Sequence, residues 1–179
     1  MFRLETPRLI MREILGNDVE FLLQMMSDPV VMRYYPKPAT ERDVRDFIDR
    51  MRRSYREDGC GVWLVVDRER GEPLGRAGLL RQNVNGVDEF EVGYMIHRPH
   101  WRRGLATEAA SAVRDYAFQE FRVPGSAFPV LRRVVSLIRP DNVPSQGVAR
   151  KLGMEIVGSC QHAGTEHHVF AVDSGDKVL

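Results

Sequence analysis

The chain has 179 residues, of which 43% are hydrophobic and 28% charged, so its composition is that of a globular protein with a sizeable core. Its 26 basic and 25 acidic side chains give a formal net charge of +1, which argues against a general nucleic-acid coat. No apolar run approaches the length of about 18 residues that a membrane helix requires. Because domains typically contain about 100–150 residues, we expect one domain.

The cysteines and the amino-terminal residues bear on the compartment. Cys60 and Cys160 are the only cysteines, and they lack the CxxC spacing of a zinc site. The segment after Met1 lacks the apolar run and the small-residue cleavage site of a secretory signal. We therefore expect a cytoplasmic protein with two reduced thiols and no bound metal.

The order of the predicted elements excludes a simple alternation of strands and helices. Three strands in the middle of the chain form a meander, with Asn85-Gly86 as a strong hairpin turn. A later run of strand, helix, strand, helix and strand requires some parallel pairing. The sequence therefore predicts an α/β (α+β mixed) fold in which a mixed sheet carries helices on both faces.

The boundaries of these elements follow from turn and capping signals. Thr40 followed by Asp43 marks the beginning of the second helix, and Gly59 marks its end. In chain order we predict a strand at 8–14, helices at 17–26 and 40–58, strands at 62–66, 74–81 and 87–96, a helix at 105–121, a Pro/Gly loop at 123–129, a strand at 134–138, a helix at 144–152, and strands at 154–160 and 167–172.

A basic loop before the third predicted helix is the most informative segment. The first turn of a helix has unpaired backbone N–H groups and the positive end of the helix dipole. Gly104 and Ala106 leave room for an anion near this backbone, and Arg102 and Arg103 add positive charge. These features predict a phosphate or pyrophosphate site. The patterns of a Walker A loop and of a dinucleotide fingerprint are absent. The structural alternative is a tight turn with solvated arginines.

Five segments of the sequence together carry a resemblance to one enzyme family. They are ETPRLIMR at 5–12, EVGY at 91–94, WRRGLATEA at 101–109, RPDNVPS at 139–145 and KLGM at 151–154. They resemble the GNAT superfamily of acyl-CoA-dependent N-acetyltransferases, in particular the ribosomal-protein alanine/serine (Rim) type. The resemblance implies a central, twisted, mixed and mostly antiparallel sheet between helices. It also implies a single domain over residues 1–179 with a core at about 6–172.

The resemblance also implies how acetyl-CoA would bind. The backbone of three residues at the end of a strand, Met95, Ile96 and His97, would pair with the pantetheine arm, and an N–H there would polarise the thioester carbonyl. Asn142 would contact the pantetheine, although turn formation is an alternative role for it. The pyrophosphate would bind to the loop residues Trp101, Arg102, Arg103, Gly104, Leu105, Ala106 and Thr107.

Two residues are candidates for catalysis. By resemblance Glu91 is the base that removes a proton from the amine, with Glu89 as the fallback and a paired edge-strand carboxylate as the structural alternative. Ser145 would lie near the CoA sulfur, whereas its alternative role is that of a helix N-cap. Many members of the family have a tyrosine at the position of Ala149, and it acts as an acid toward the leaving sulfur of CoA. In this chain Ser145 or a water would have to supply that proton, or the sulfur would leave without an acid. Neither cysteine lies in these motifs, which favours direct transfer.

The resemblance therefore implies an acetyl-CoA-dependent N-acetyltransferase. Its acceptor would be a primary amine, either a protein N-terminal α-amine or a small molecule, in a cleft built from residues 18–35, 44–56 and 164–166. The alternatives are a non-catalytic acyl-CoA sensor on the same fold and a nucleotide- or phosphate-binding module. We expect no metal cofactor and no nucleic-acid or membrane partner, and a monomer or a homodimer.

Overall fold

The computed structural model describes residues 2–123 and 131–175. In this part of the chain the strands are β1 (Arg3–Glu5), β2 (Leu9–Arg12), β3 (Val62–Asp67), β4 (Pro73–Val84), β5 (Val87–Ile96), β6 (Arg133–Ile138), β7 (Glu155–His162) and β8 (Thr165–Asp173). The helices are α1 (Val19–Met26), α2 (Glu41–Glu57), α3 (Leu105–Gln119) and α4 (Val143–Lys151).

All of these strands form one sheet in the order β1-β2-β3-β4-β5-β6-β8-β7. Every neighbouring pair is antiparallel except β5 and β6, which are parallel. The sheet is therefore mixed and mostly antiparallel, as predicted. Two parallel strands must be joined by a crossover connection, and the helix α3 forms this connection between β5 and β6.

Helices cover both faces of the sheet, as the sequence predicts. Alternate residues of β3 point to opposite faces. Val62, Leu64 and Val66 pack in one cluster with the buried side chains of α1 and α2. Trp63 and Val65 pack in another cluster with those of α3 and α4. The run of buried residues in β3 thus results from helices on both sides.

The turn and cap signals are confirmed, whereas some boundaries differ from the prediction. Asn85 and Gly86 have φ values of 51° and 89°, the left-handed backbone of a tight hairpin. Thr40 and Asp43 form a capping box at the beginning of α2. The strand β1 was not predicted, and β4 extends to the hairpin turn because it pairs along its length with β5. Most of the predicted Pro/Gly loop, 124–129, lies outside the described residues.

The strands β5 and β6 share a single register pair, Glu91 opposite Val135. Beyond this pair, side chains join the two strands in place of a backbone ladder. Ser136 Oγ donates a hydrogen bond to the carbonyl of Val92 at 2.7 Å. Tyr94 Oη, further along β5, donates to the carbonyl of Ser145 at 2.8 Å, which lies in α4. The sheet therefore opens between β5 and β6 in the direction of the loop before α3.

Candidate functional site

The loop predicted to bind an anion joins β5 to α3. A single 3-10 turn covers Arg98–His100, and α3 begins at Leu105 with Gly104 as its N-cap residue. Gly104 has a φ of 75° and Arg102 a φ of 61°, so left-handed residues lie on both sides of Arg103. Such curled backbone gathers successive N–H groups into an anion-binding concavity. The first turn of α3 adds its unpaired N–H groups and the positive end of its dipole.

The predicted loop residues differ in exposure. Trp101, Arg102, Arg103 and Gly104 are exposed, and Ala106 and Thr107 are half-buried. Leu105 is buried in the core, where it holds the first turn of α3 against the sheet. The backbone of the loop is therefore open to a ligand on the side away from Leu105.

Two side-chain contacts hold this loop in its shape. The indole Nε1 of Trp101 donates to the carbonyl of Ile96 at 2.6 Å, which ties the loop to the end of β5. Arg103 Nη1 lies 3.2 Å from His100 Nδ1. Because arginine can only donate, this contact is a hydrogen bond in the tautomer whose Nδ1 carries no proton.

The opening segment of the chain anchors the same loop, a role that the sequence analysis did not assign. Glu108 in the first turn of α3 accepts from Thr6 Oγ1 at 2.6 Å and from the backbone N–H of Arg8 at 3.0 Å. The guanidinium of Arg8 pairs with the same carboxylate at 2.6 Å, and its Nη1 donates to the carbonyl of Arg103 at 3.0 Å. The sequence feature that pointed to this segment was its resemblance to the family at residues 5–12. The residue that it contacts in α3, Glu108, could be identified only from the folded structure.

The backbone N–H groups of the three residues predicted to pair with pantetheine do not all point in the same direction. The N–H of His97 donates to the carbonyl of Leu74 at 2.8 Å, so His97 is bonded to β4. Bonded pairs alternate along an antiparallel ladder, so Met95, opposite Arg76, also faces β4. The N–H of Ile96 points the other way, towards the opening beside β6. Of the three residues, Ile96 is therefore the one whose backbone is directed into the opening.

Asn142 and Ser145 lie at the beginning of α4, on the far side of the opening. Asn142 is the N-cap of this helix, and its side chain accepts from the N–H of Ser145 at 3.2 Å. The N-cap alternative for Ser145 is therefore wrong, because Asn142 holds that position. Ala149 is fully buried in the core, so the position at which many family members have a tyrosine acid offers no proton donor in this chain.

The phenol of Tyr94 links β5 to α4 through its hydrogen bond to the carbonyl of Ser145. Burial raises the pKa of Tyr94, and the nearby charge of Glu91 raises it further. The phenol therefore stays protonated at neutral pH and acts as a donor to the carbonyl of Ser145. Sequence analysis missed this residue, although it lies in the segment EVGY at 91–94.

Glu91 is half-buried and held in one orientation by two donors. Gln82 Nε2 donates to Oε2 at 2.8 Å, and the backbone N–H of Leu137 donates to Oε1 at 3.4 Å. Glu89 lies on the same face of β5 but pairs with Arg133 at 3.4 Å. Glu91 lines the cleft described next, whereas Glu89 does not line it.

A cleft of about 780 Å³ opens over the sheet face that carries Glu91. Its lining includes residues of α2, the turn between β7 and β8, and the two tyrosines Tyr34 and Tyr35. The lining includes parts of the predicted acceptor segments 18–35, 44–56 and 164–166. The helix α1 is not part of the lining, and its Met25 and Met26 are buried in the core.

None of the four α-helices within residues 2–123 and 131–175 has the length and the apolar character that a membrane crossing demands. In the same residues no group of three or more His, Cys, Asp and Glu side chains is arranged to hold a metal ion.

Comparison with known proteins places this geometry in a family. Residues 8–155 match the Acetyltransferase (GNAT) domain. The chain is 33% identical to YkkB of Bacillus subtilis over 153 residues, which are 85% of this chain and 84% of YkkB. The crystal structure of an acetyltransferase from Agrobacterium tumefaciens has the same fold, with a TM-score of 0.79 and 23% identity over 97% of this chain and 95% of that one.

A second solved structure has a bound cofactor. The ribosomal L7/L12 α-N-protein acetyltransferase RimL in complex with coenzyme A superposes with a TM-score of 0.72 and 17% identity. It covers 96% of this chain and 98% of that one. Acetyltransferases of the GNAT family use acetyl-CoA. The match over 8–155 spans most of the chain, and this protein therefore belongs to the GNAT family of acetyltransferases.

Proposed function

We propose that this protein is an acetyl-CoA-dependent N-acetyltransferase that transfers the acetyl group directly to a primary amine. The observation that carries the proposal is the position of β5. One part of this strand presents Glu91 to the large cleft, and its end leads into the loop at 101–107. A donor bound by that loop and an acceptor bound in that cleft would meet at the opening beside β5.

The donor site is assigned to backbone groups and two arginines. The N–H groups of residues 102–107 would bind the pyrophosphate, and Arg102 and Arg103 would add charge. The N–H of Ile96 would polarise the thioester carbonyl, since it points into the opening beside β6. Asn142 is the N-cap residue of α4, and its side-chain amide would contact the pantetheine.

Glu91 is proposed as the general base. A free amine has a pKa of about 8–10 and must lose a proton to attack. Its lone pair forms a bond to the thioester carbon, the C–S bond breaks, and the sulfur leaves with the electron pair. Glu91 takes the amine proton directly or through one water. Ser145 or a water supplies a proton to the sulfur, although a thiolate can also leave unaided.

Thiol release from acetyl-CoA tests the proposal. The protein is incubated with acetyl-CoA and an amine panel comprising ribosomal-protein N-terminal peptides, polyamines, aminoglycosides and free amino acids. Release of free CoA that depends on one class of amine supports an N-acetyltransferase. Binding of acetyl-CoA without release for any amine would identify an acyl-CoA sensor. A thermal shift with ATP but none with acetyl-CoA would favour a nucleotide-binding module.

A further inference from the structure

Five arginines line the acceptor cleft, and they fall into two groups. Arg81 pairs with Asp88 at 2.5 Å, and Arg139 pairs with Asp141 at 3.0 Å. The other three have no acidic partner within 4.0 Å among the described residues. These are Arg50 and Arg53 of α2 and Arg76 of β4.

Arg76 and Arg50 are organised around one aromatic ring. The guanidinium carbon of Arg76 lies 4.7 Å from the centre of the Phe47 ring, and that of Arg50 lies 5.5 Å from it. Stacking on a ring engages the flat face of a guanidinium and leaves the N–H groups at its edge free. Nε of Arg76 is buried and has no hydrogen-bond partner among the described residues.

The arrangement gathers like charges that have no ion-pair partner within 4.0 Å in residues 2–123 and 131–175. Burial lowers the pKa of Arg50, and the charges of Arg76 and Arg53 lower it further. Glu57 and Asp58 also line the cleft, but they are two turns further along α2 than Arg50. A bound anion would relieve this repulsion and would satisfy Nε of Arg76.

The sheet places these arginines in line with Glu91. In the register of β4 and β5, Arg76 lies opposite Met95, Gly78 opposite Gly93, and Leu80 opposite Glu91. Opposite residues share a face, so Arg76 and Glu91 lie on the same face, about 13 Å apart along the strands. Gly93 lies between them in the cleft, and a Cβ built on it meets nothing within 4 Å. The space between the base and the arginines is therefore open.

We propose that the acceptor is a primary amine that carries an anionic group, a carboxylate or a phosphate, bound by Arg50 and Arg76 while the amine lies at Glu91. This inference rests on the proposed function. The separation of the two ends, on the order of 10 Å, matches a short peptide with a terminal carboxylate or with an acidic side chain near its N-terminus.

Matched peptides test the inference. The rates of acetylation are measured for Ala-Gly-Gly as the free acid, for its C-terminal amide, and for Ala-Gly-phosphoserine amide. We expect the anionic peptides to exceed the neutral amide in kcat/KM by about tenfold or more. Preference for the free acid alone would assign a carboxylate, and preference for the phosphopeptide alone a phosphate. Equal rates for all three would overturn the inference.

Variants separate this inference from the proposed function. Arg50→Gln and Arg76→Gln are expected to raise KM for the anionic peptides and so to reduce the preference for these peptides over the neutral amide. Arg52→Gln, an exposed arginine of α2 outside the cleft lining, serves as the matched control. If the wild-type protein acetylates no amine, the proposed function fails. If it acetylates the neutral amide and the two variants keep the wild-type preference, only the inference fails.

Discussion

Arg8 and Glu108 are 100 residues apart in the chain and form an ion pair at the base of the loop before α3. Nε and Nη2 of Arg8 each lie 2.6 Å from Oε2 of the carboxylate. Because Nη1 of the same guanidinium bonds to the carbonyl of Arg103, one side chain links the first turn of α3 to the loop. This pair connects the amino-terminal motif to the proposed donor site.

Replacement of Glu108 by Gln should loosen this anchor. Burial raises the pKa of Glu108, but hydrogen bonds from Thr6 and Arg8 outweigh it and hold the pKa below its usual value. In the unfolded chain the pKa of a glutamate is about 4.3, and above that pH the carboxylate makes its full contribution to the stability of the fold. This contribution is lost as the pH falls through the lower pKa of Glu108 in the folded state. At pH 7 we expect Glu108→Gln to lower the free energy of unfolding by about 1 kcal/mol and to raise KM for acetyl-CoA.

Chemical denaturation at several pH values measures the first effect. The stability gap between the wild type and Glu108→Gln should close as the pH is lowered below 4. A gap that is constant with pH would contradict the assigned role of the charge. Arg45→Gln provides the control, because its ion pair with Glu41 is exposed and lies on α2.

Gly104→Val should weaken acetyl-CoA binding. Gly104 has a φ of 75°, where a β-branched residue costs roughly 1–3 kcal/mol, and the new side chain would fill the approach to the loop backbone. Gly71→Val is the matched control, since Gly71 has a φ of 71° in the turn between β3 and β4. Both variants should lose similar stability in thermal denaturation. Retained acetyl-CoA affinity in Gly104→Val, measured by calorimetry, would remove the loop from the donor site.

Glu91→Gln should lower kcat by about 100-fold or more, the typical contribution of a general base. The fold should tolerate the change because the amide can still accept one of the two hydrogen bonds from Gln82 and Leu137. Glu89→Gln, on the same strand and face, should keep nearly the wild-type rate. Turnover is measured by thiol release at saturating acetyl-CoA. Equal rates in both variants would show that another group accepts the proton.

Trp101 should report donor binding by its fluorescence. The chain has 2 tryptophans, and Trp63 is buried and stacked on Phe2 with 4.0 Å between the ring centres. Trp101 is 37% exposed beside the loop. Addition of acetyl-CoA should therefore change the emission of Trp101 alone. The change should disappear in Trp101→Phe, and a persistent signal in that variant would contradict the assignment of the loop.

The cysteines should be dispensable for transfer. Burial raises the pKa of Cys60 to about 12, and the neighbouring charge of Asp58 adds to the effect. Burial and the charge of Glu91 also raise the pKa of Cys160. At pH 8 Cys60 is therefore almost entirely in the thiol form, so thiol reagents should react with it slowly in the native state. Cys60→Ala with Cys160→Ala should retain turnover, and its loss would indicate an acyl-cysteine intermediate.

Features that depend on neighbours in the chain could be predicted from the sequence. The Asn85-Gly86 turn, the Thr40–Asp43 cap and the helix that opens after Gly104 each result from a few consecutive residues and their backbone preferences. The strand β1 was missed because three residues carry too little periodicity. The alternative role of Ser145 as the N-cap of α4 is wrong, because Asn142 holds that position, and both are good capping side chains three positions apart.

The sequence by itself therefore determined the order of the elements from β2 onwards, the basic loop before a helix and the family to which its motifs point. The tertiary structure alone decided which groups come together. Strand register directs the N–H of Ile96 away from β4, and packing brings Arg8 to Glu108. Register and helix packing likewise gather Arg50 and Arg76 on Phe47, in line with Glu91. The physical reason is that register and packing join segments far apart in sequence, and no local preference encodes such pairs.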